Sequence, residues 1–432
     1  DLDNRAATIW SIAVNGVMAG CKPEYMPVLV ALVEAMADHG YGVEHSGNTP
    51  GGETLIVLNG PIIKQLGFNY TQGVMRDGFK ANTSVGRFWR LYLRNVAGFL
   101  PHKNDKATFG NTWRVVVAEN EDVVKKLGWT NSAADFGFYP DDSTVMISRH
   151  TGGNHISSVS GATAQELMPY ISDAVVRQYS WQLMFSTGQG LDSLRPQLLL
   201  SPLIAETIAA SGWSKRDFQK ALWEQARVPA HQWERIQRDW TQKPTWNLAL
   251  EVSLGKIPKV FHESDDPDRL VPLVWKPDDF MIVVTGDPLR TNAYVFSHNG
   301  LRGFTVSKKV ALPARWEALR AAARAESSPL VKDTMYGLLA TANDPALARR
   351  ALALAITDEP GATIGAEMIA AVAGNYPDMA FDFAIANMAA VDKRIDATSR
   401  SRYFPMLARG SDRKSTRLNS SHVKRSRMPS SA

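Results

Sequence analysis

Thr54-Leu55-Ile56-Val57-Leu58-Asn59-Gly60-Pro61 is a short β-favouring run closed by a turn signal, and its reading sets the class of the fold. The run is too short for a helix and reads as a strand. Around it, apolar residues fall at helical spacing. Residues 6–19 and 25–37 read as helices before the strand. Residues 84–96 read as a helix after it, with Phe88, Leu91 and Leu93 apolar and Arg87, Arg90 and Arg94 polar. Residues 113–118 and 144–147 are predicted strands, 164–185 a long helix, and Gln197–Leu200 a buried strand. Helices over 203–210, Lys215–Gln225 and 231–239 follow, and strands over 280–285, 293–296 and 303–306 close the region. Strands alternating with helices over this length predict an α/β or α+β layer fold.

At 432 residues the chain has room for about two or three domains. No apolar run approaches the roughly 20 residues that span a bilayer, so no membrane partner is expected. The N-terminus lacks a basic-then-apolar signal pattern, and it opens on Asp1 without an initiator methionine, from which a missing start is expected. Cys21 is the single cysteine, which excludes an intrachain disulfide and a thiolate-cluster metal site. A cytoplasmic location is expected, with no cofactor and no metal. The net charge of +5 suggests a nucleic-acid partner only until it is located. Residues 412–432, DRKSTRLNSSHVKRSRMPSSA, carry six basic side chains against Asp412 and account for the whole +5. The rest of the chain is balanced, so no nucleic-acid partner is expected. The tail itself has almost no apolar residues and no periodicity, and is expected to be disordered.

Three groups of residues could carry chemistry. Cys21 precedes Pro23 and Glu24, which suit the first turn of a helix. Its sulfur would then lie at the positive end of a helix dipole beside Lys22, and both features favour the thiolate. Gly20 would let the backbone approach closely. The competing reading is a small buried hydrophobe. The second group is His150-Thr151-Gly152-Gly153-Asn154-His155, read as a loop whose two histidines could ligate a metal, or from which His155 could serve as base to the thiolate, against the preferred reading of a plain turn with two surface histidines. The third is Asn82, Arg87 and Arg90. Ser84 is expected to cap their helix, leaving its first amides and an arginine fork for an anion, against a solvated helix face. Glu119 and Glu121 alternate on a predicted strand and would share a face. No nucleotide-binding glycine loop and no Gly-x-Ser-x-Gly elbow occurs.

Composition changes near Ala314, after which alanine, leucine and arginine dominate up to residue 411. Asp344 before Pro345 gives a helix start, with its helix expected over Pro345–Ala355. Residues 366–373 and 379–390 are further helices, separated by Gly374-Asn375-Tyr376-Pro377. This predicts an all-α helical-repeat segment of antiparallel pairs, each burying its apolar face on its neighbours.

Several stretches carry family resemblances. Ala13-Val14-Asn15-Gly16-Val17-Met18-Ala19-Gly20-Cys21-Lys22-Pro23-Glu24-Tyr25 resembles a motif of the UGSC family of bacterial (seleno)proteins. So do Val57-Leu58-Asn59-Gly60-Pro61-Ile62, Lys80-Ala81-Asn82-Thr83-Ser84-Val85-Gly86-Arg87, Ala118-Glu119-Asn120-Glu121 and Gly212-Trp213-Ser214-Lys215-Arg216-Asp217, so that the resemblance covers residues 5–313. The family's name-giving Gly-Ser-Cys motif does not occur here. What the resemblance implies is a thiol-dependent enzyme or redox protein with Cys21 as nucleophile or redox group. A non-catalytic domain binding a small anion is the alternative, and a small-molecule ligand is the partner expected in either case. Ala342-Asn343-Asp344-Pro345-Ala346-Leu347, Ile356-Thr357-Asp358-Glu359-Pro360 and Ser399-Arg400-Ser401-Arg402-Tyr403-Phe404 are similar to the C-terminal helical domain of aminopeptidase-N-type zinc peptidases. That domain carries no catalytic residues, and the zinc motif His-Glu-x-x-His is absent: His262-Glu263 is followed by Ser264-Asp265-Asp266. The tail resembles a translated sequencing adapter. The expected organisation is therefore 1–313, 314–411 and 412–432, with a chimeric junction between Pro313 and Glu326.

Overall fold

The computed structural model describes residues 7–111, 113–179, 194–299, 303–311, 315–361, 363–396 and 398–408. The tail, 412–432, lies outside the described residues. The chain divides into two compact units, residues 1–311 and 312–432.

Among the described residues the first unit has nine strands: β1 (Glu53–Asn59), β2 (Val116–Ala118), β3 (Thr144–Ile156), β4 (Gln197–Leu200), β5 (Arg227–Pro229), β6 (Leu270–Pro272), β7 (Met281–Val284), β8 (Ala293–His298) and β9 (Val306–Lys309). Seven form one mixed sheet in the order β2-β1-β3-β8-β4-β7, with β9 added on β3, and β5 pairs with β6. β1 with β2 and β4 with β7 run parallel; the other pairs of the main sheet are antiparallel. The sheet curls until its two outer strands meet at one end. There the Asn120 amide donates to the Val284 carbonyl at 2.7 Å, and the Thr285 hydroxyl donates to the Ala118 carbonyl at 2.8 Å.

Strand register decides which residues face inward. Leu55 and Val57 of β1, Val117 of β2, Met146 of β3, Leu199 of β4 and Phe296 of β8 fill the concave side as one small cluster. The intervening residues point outward into two larger helical layers. All seven residues of β1 are buried, which is why its sequence is a nearly continuous apolar run. Over one side lie α1 (Ile9–Ala19), α2 (Met26–Met36), the short α3 (Ile62–Gln65) and α4 (Lys80–Asn95), packed with Ile56, Leu58, Val116 and Ile147. Over the other lie α6 (Ala164–Tyr179), α7 (Pro202–Ala210), α8 (Lys215–Gln225), α9 (Ala230–Thr241) and α10 (Leu248–Ser253), packed with Leu198, Leu200, Ile282 and Val295; the short α5 (Glu121–Lys126) precedes them in the chain.

The second unit is helical throughout its described residues: α11 (Arg315–Ala325), α12 (Pro329–Ala340), α13 (Pro345–Ala355), α14 (Ile364–Asn375), α15 (Pro377–Ala386), α16 (Met388–Asp392) and α17 (Arg400–Ala408). Asp344 caps α13 as its sequence predicts, its carboxylate accepting from the Ala346 and Leu347 amides at 2.8 and 2.9 Å. Tyr336, Leu352, Met368, Ile369 and Val372 lie in its core. The helix expected over 379–390 is split: Asn387 leaves helical geometry, and its side-chain amide donates back to the Phe383 carbonyl at 2.9 Å.

The mixed α/β class of the first unit and the helical character of the second agree with the sequence reading. Two further local expectations do not hold. Residues 150–155 are the second half of β3 rather than a loop, paired with β8 after a register shift between His150 and Gly152. Glycines depress a strand signal, but Gly153 is needed here: a β-carbon on it would lie 2.4 Å from Cε1 of Tyr294. Glu119 and Glu121 are not on a strand, because β2 ends at Ala118 and the Asn120 side chain caps α5.

Candidate functional site

Thr8 and Ser11 form a reciprocal capping box that starts α1, each backbone amide donating to the other's hydroxyl at 3.0 Å. The helix stops at Gly20, whose φ of 87° is the left-handed conformation that glycine adopts without strain. Cys21 follows with its amide donating to the Gly16 carbonyl at 2.9 Å, so its backbone belongs to the end of α1. Lys22 is extended, Pro23–Tyr25 form a single 3-10 turn, and α2 begins only at Met26. The thiol therefore does not sit on the first turn of an α-helix. Its electrostatics are also opposite to the expectation. Burial of the sulfur pushes the Cys21 thiol up to about 11 against the pull of Lys80. Ser84, its hydrogen-bonding neighbour, donates its own hydroxyl hydrogen to the Lys80 carbonyl at 2.5 Å. The hydrogen bond of Ser84 and the charge of Lys80 both favour the thiolate, and burial outweighs them.

Ser84 is not the helix cap, because α4 begins a turn earlier at Lys80 with Phe79 before it. This shift separates the three anion-site residues. Asn82 is fully buried and spent on backbone: its carbonyl accepts from the Asn69 amide at 2.8 Å, and its amide donates to Asn69 O at 2.9 Å and Val116 O at 2.8 Å. It joins α4 to β2 and to the loop after α3 and has no hydrogen-bonding capacity left for an anion. Arg90 turns the other way, to Asp105 at 2.5 Å and Glu53 at 4.0 Å, two nearly buried carboxylates. Arg87 alone of the three faces open space.

That space is a groove of about 1020 Å³ between the ends of α1 and β2, the N-terminal half of α4 and the edge of β8. Its basic residues are Arg76, Lys80, Arg87 and Arg114, with Asp77 as the one acid. All four basic residues are exposed; Arg114 also acts through its charge on the buried Glu53. Gly20 and Ser84, neighbours of Cys21, line the same groove, while Cys21 itself packs against the core behind them. Gly86 sets the spacing. A β-carbon there would fall 2.3 Å from the Arg114 carbonyl carbon and the Val115 nitrogen, so α4 rests directly on the backbone leading into β2. Arg87 and Arg114 are adjacent to that contact on both sides.

His155 lies opposite Tyr294 in the β3–β8 ladder, exposed, with its Nδ1 2.8 Å from the Ser157 hydroxyl. It is not among the described residues lining the groove, and the structure does not bring it to Cys21. His150, the other histidine of that stretch, is fully buried. Its Nε2 is 2.7 Å from the Ser148 hydroxyl, its ring is 5.5 Å from that of His298, and burial lowers it to about 3. Both imidazoles are neutral near pH 7, the burial of His298 likewise lowering its pKa.

Glu119 and Glu121 converge on Asn59, whose amide donates to them at 2.6 and 3.2 Å. Glu119 also receives the Ser132 amide and hydroxyl, both at 2.8 Å, and Glu121 the Gly60 amide at 2.8 Å. Burial pushes Glu119 up, and this set of donors opposes it. The pair ties the turn after β1 to the loop before β3. Among the described residues no cluster of three His, Cys, Asp or Glu side chains is placed to hold a metal ion, and no helix is long and apolar enough to cross a membrane.

Sequence reasoning found Arg87 and Cys21 but not Arg76, Lys80 or Arg114, which come from a loop, a helix start and the segment before β2. The only signal for the last was Gly86, an interior helix glycine, which marks a close approach without saying to what. No protein-family model, curated protein or solved structure matches this chain.

Proposed function

We propose that the first unit binds a small oxyanion, a carboxylate or phosphate, in the groove beside α4. The observation that carries this reading is the convergence of Arg76, Lys80, Arg87 and Arg114 on one cavity with only Asp77 to offset them. Surface cations in a balanced protein normally scatter or pair, whereas four exposed ones around a concavity supply charge-assisted donors for an anion. Because these side chains are exposed, the affinity is salt-sensitive. The test is a thermal-shift titration of the full chain with inorganic phosphate and with acetate, citrate and malonate, on wild type and Arg87→Ala. Wild type should be stabilised, and Arg87→Ala should bind about tenfold more weakly. No stabilisation of wild type by any of these anions would remove the reading.

A second reading makes Cys21 a nucleophile or redox group without His155 as its base, and it is favoured by the place of its neighbours Gly20 and Ser84 in the groove lining. It needs the thiolate, which a thiol pushed up to about 11 supplies only in small fraction at pH 7. Faster alkylation of Cys21 than of a free thiol at pH 7 would restore it. The family readings of residues 5–313 and 314–411, the helical-repeat arrangement and the structural role of the second segment stand as proposals beside these.

A further inference from the structure

The groove is aromatic as well as basic. Trp113 and Tyr294 line it together with the basic residues, and both rings pack on Phe296 from inside the curled sheet. Trp113 meets Phe296 edge-on at 5.7 Å and 73°. Tyr294 leans on it at 4.6 Å and 47°. Two aromatic side chains fixed by a third, half-exposed and facing a cavity, form a preorganised platform. The volume points the same way: about 1020 Å³ is far more than a bare inorganic anion occupies and lies at the upper end of small-molecule sites.

We infer that the ligand is an aryl anion, with its carboxylate or phosphate on the side of Arg87 and Arg114 and its ring on Trp113 and Tyr294. The inference rests on the oxyanion reading of the same groove and names the class of molecule it takes. A flat ring gains offset or edge contacts from both platform residues. Cations and aromatic rings lining one groove thus select for charge and a π-system in one molecule.

Calorimetric titration of the full chain with inorganic phosphate, phenyl phosphate, acetate and benzoate tests this. Wild type should bind phenyl phosphate about tenfold more tightly than inorganic phosphate, and benzoate more tightly than acetate by a similar factor. Tyr294→Ala should bring each pair to within about twofold by weakening phenyl phosphate and benzoate, with a cooperative thermal unfolding transition showing that the variant is folded. Should Tyr294→Ala fail to fold, Tyr294→Leu keeps an apolar side chain without the ring and should give the same convergence. Equal affinity of wild type for phenyl phosphate and inorganic phosphate overturns the aryl assignment and leaves the oxyanion reading standing. Loss of binding to all four compounds removes both.

Discussion

Gly86 and Arg114 touch through their backbones: a methyl group on Gly86 would lie 2.3 Å from the Arg114 carbonyl carbon. No flexible side chain is available to give way, so helix and strand must separate to admit even an alanine. Gly86→Ala is expected to destabilise the first unit by about 3 kcal/mol, at the upper end of the cost of overpacking. It should also weaken anion binding, because Arg87 and Arg114 flank the contact. Denaturant unfolding and a phosphate titration check both. A variant as stable as wild type would mean that the contact is looser than described.

Cys21 gives a pH signature with a fixed sign. Its folded value is raised from 9.0 to about 11, so the folded state holds the thiol proton more tightly than the unfolded chain does. The stability this contributes is present below pH 9 and is lost as pH rises through about 11. Alkaline unfolding should begin later in Cys21→Ala than in wild type. Iodoacetamide should label the native protein more slowly than free cysteine at pH 7 and accelerate steeply above pH 9, which mass spectrometry of the single cysteine peptide reads directly.

Arg90 is expected to matter for folding and not for the ligand. Removing it leaves Asp105 and Glu53 as neighbouring carboxylates, 7% and 6% exposed, without their counter-ion. Arg90→Ala should cost about 3 kcal/mol, as breaking a largely buried pair does, and leave phosphate affinity unchanged. Arg87→Ala should do the reverse. If both variants lost affinity equally, the two arginines would share one role.

His150 sets the acid limit of the first unit. Burial lowers it from 6.5 to about 3, so the unfolded chain takes up the proton first as pH falls. The stability that the neutral ring contributes is present above pH 6.5 and is lost as pH falls toward 3. His298 shifts in the same direction. His150→Gln should flatten the fall in unfolding free energy between pH 6 and 4, measured by urea titrations at fixed pH. An unchanged slope would assign acid sensitivity to other groups.

Much of the fold was legible because local signals and burial agree. Gln197–Leu200 and Lys215–Gln225 have the bounds their sequences suggest, since an apolar run bounded by Pro196 and Ser201 and a Ser214–Asp217 capping box are unambiguous. β3 was half missed, because the residues that let it pass under Tyr294 are the ones that suppress a strand signal. The start of α4 was misplaced by a turn because Ser84, a good cap, is used instead to bond the Lys80 carbonyl within the helix. The site was legible only in part. Whether Cys21 ionises depends on its burial, which no local pattern encodes, and the groove's cations come from three separate segments. Their convergence follows from the packing of α4 on β2.

Open sheets are vulnerable along their outermost strands, where unused backbone groups can recruit another molecule's strand and seed aggregates. β2 and β7 are the two outermost strands of the path, and at one end each spends those groups on the other: Asn120 on Val284, and Val284 on the Glu119 carboxylate at 3.3 Å. One acidic side chain thus stands in for a missing neighbour strand. Glu119 covers a backbone amide of an outermost strand that would otherwise be free to recruit another strand.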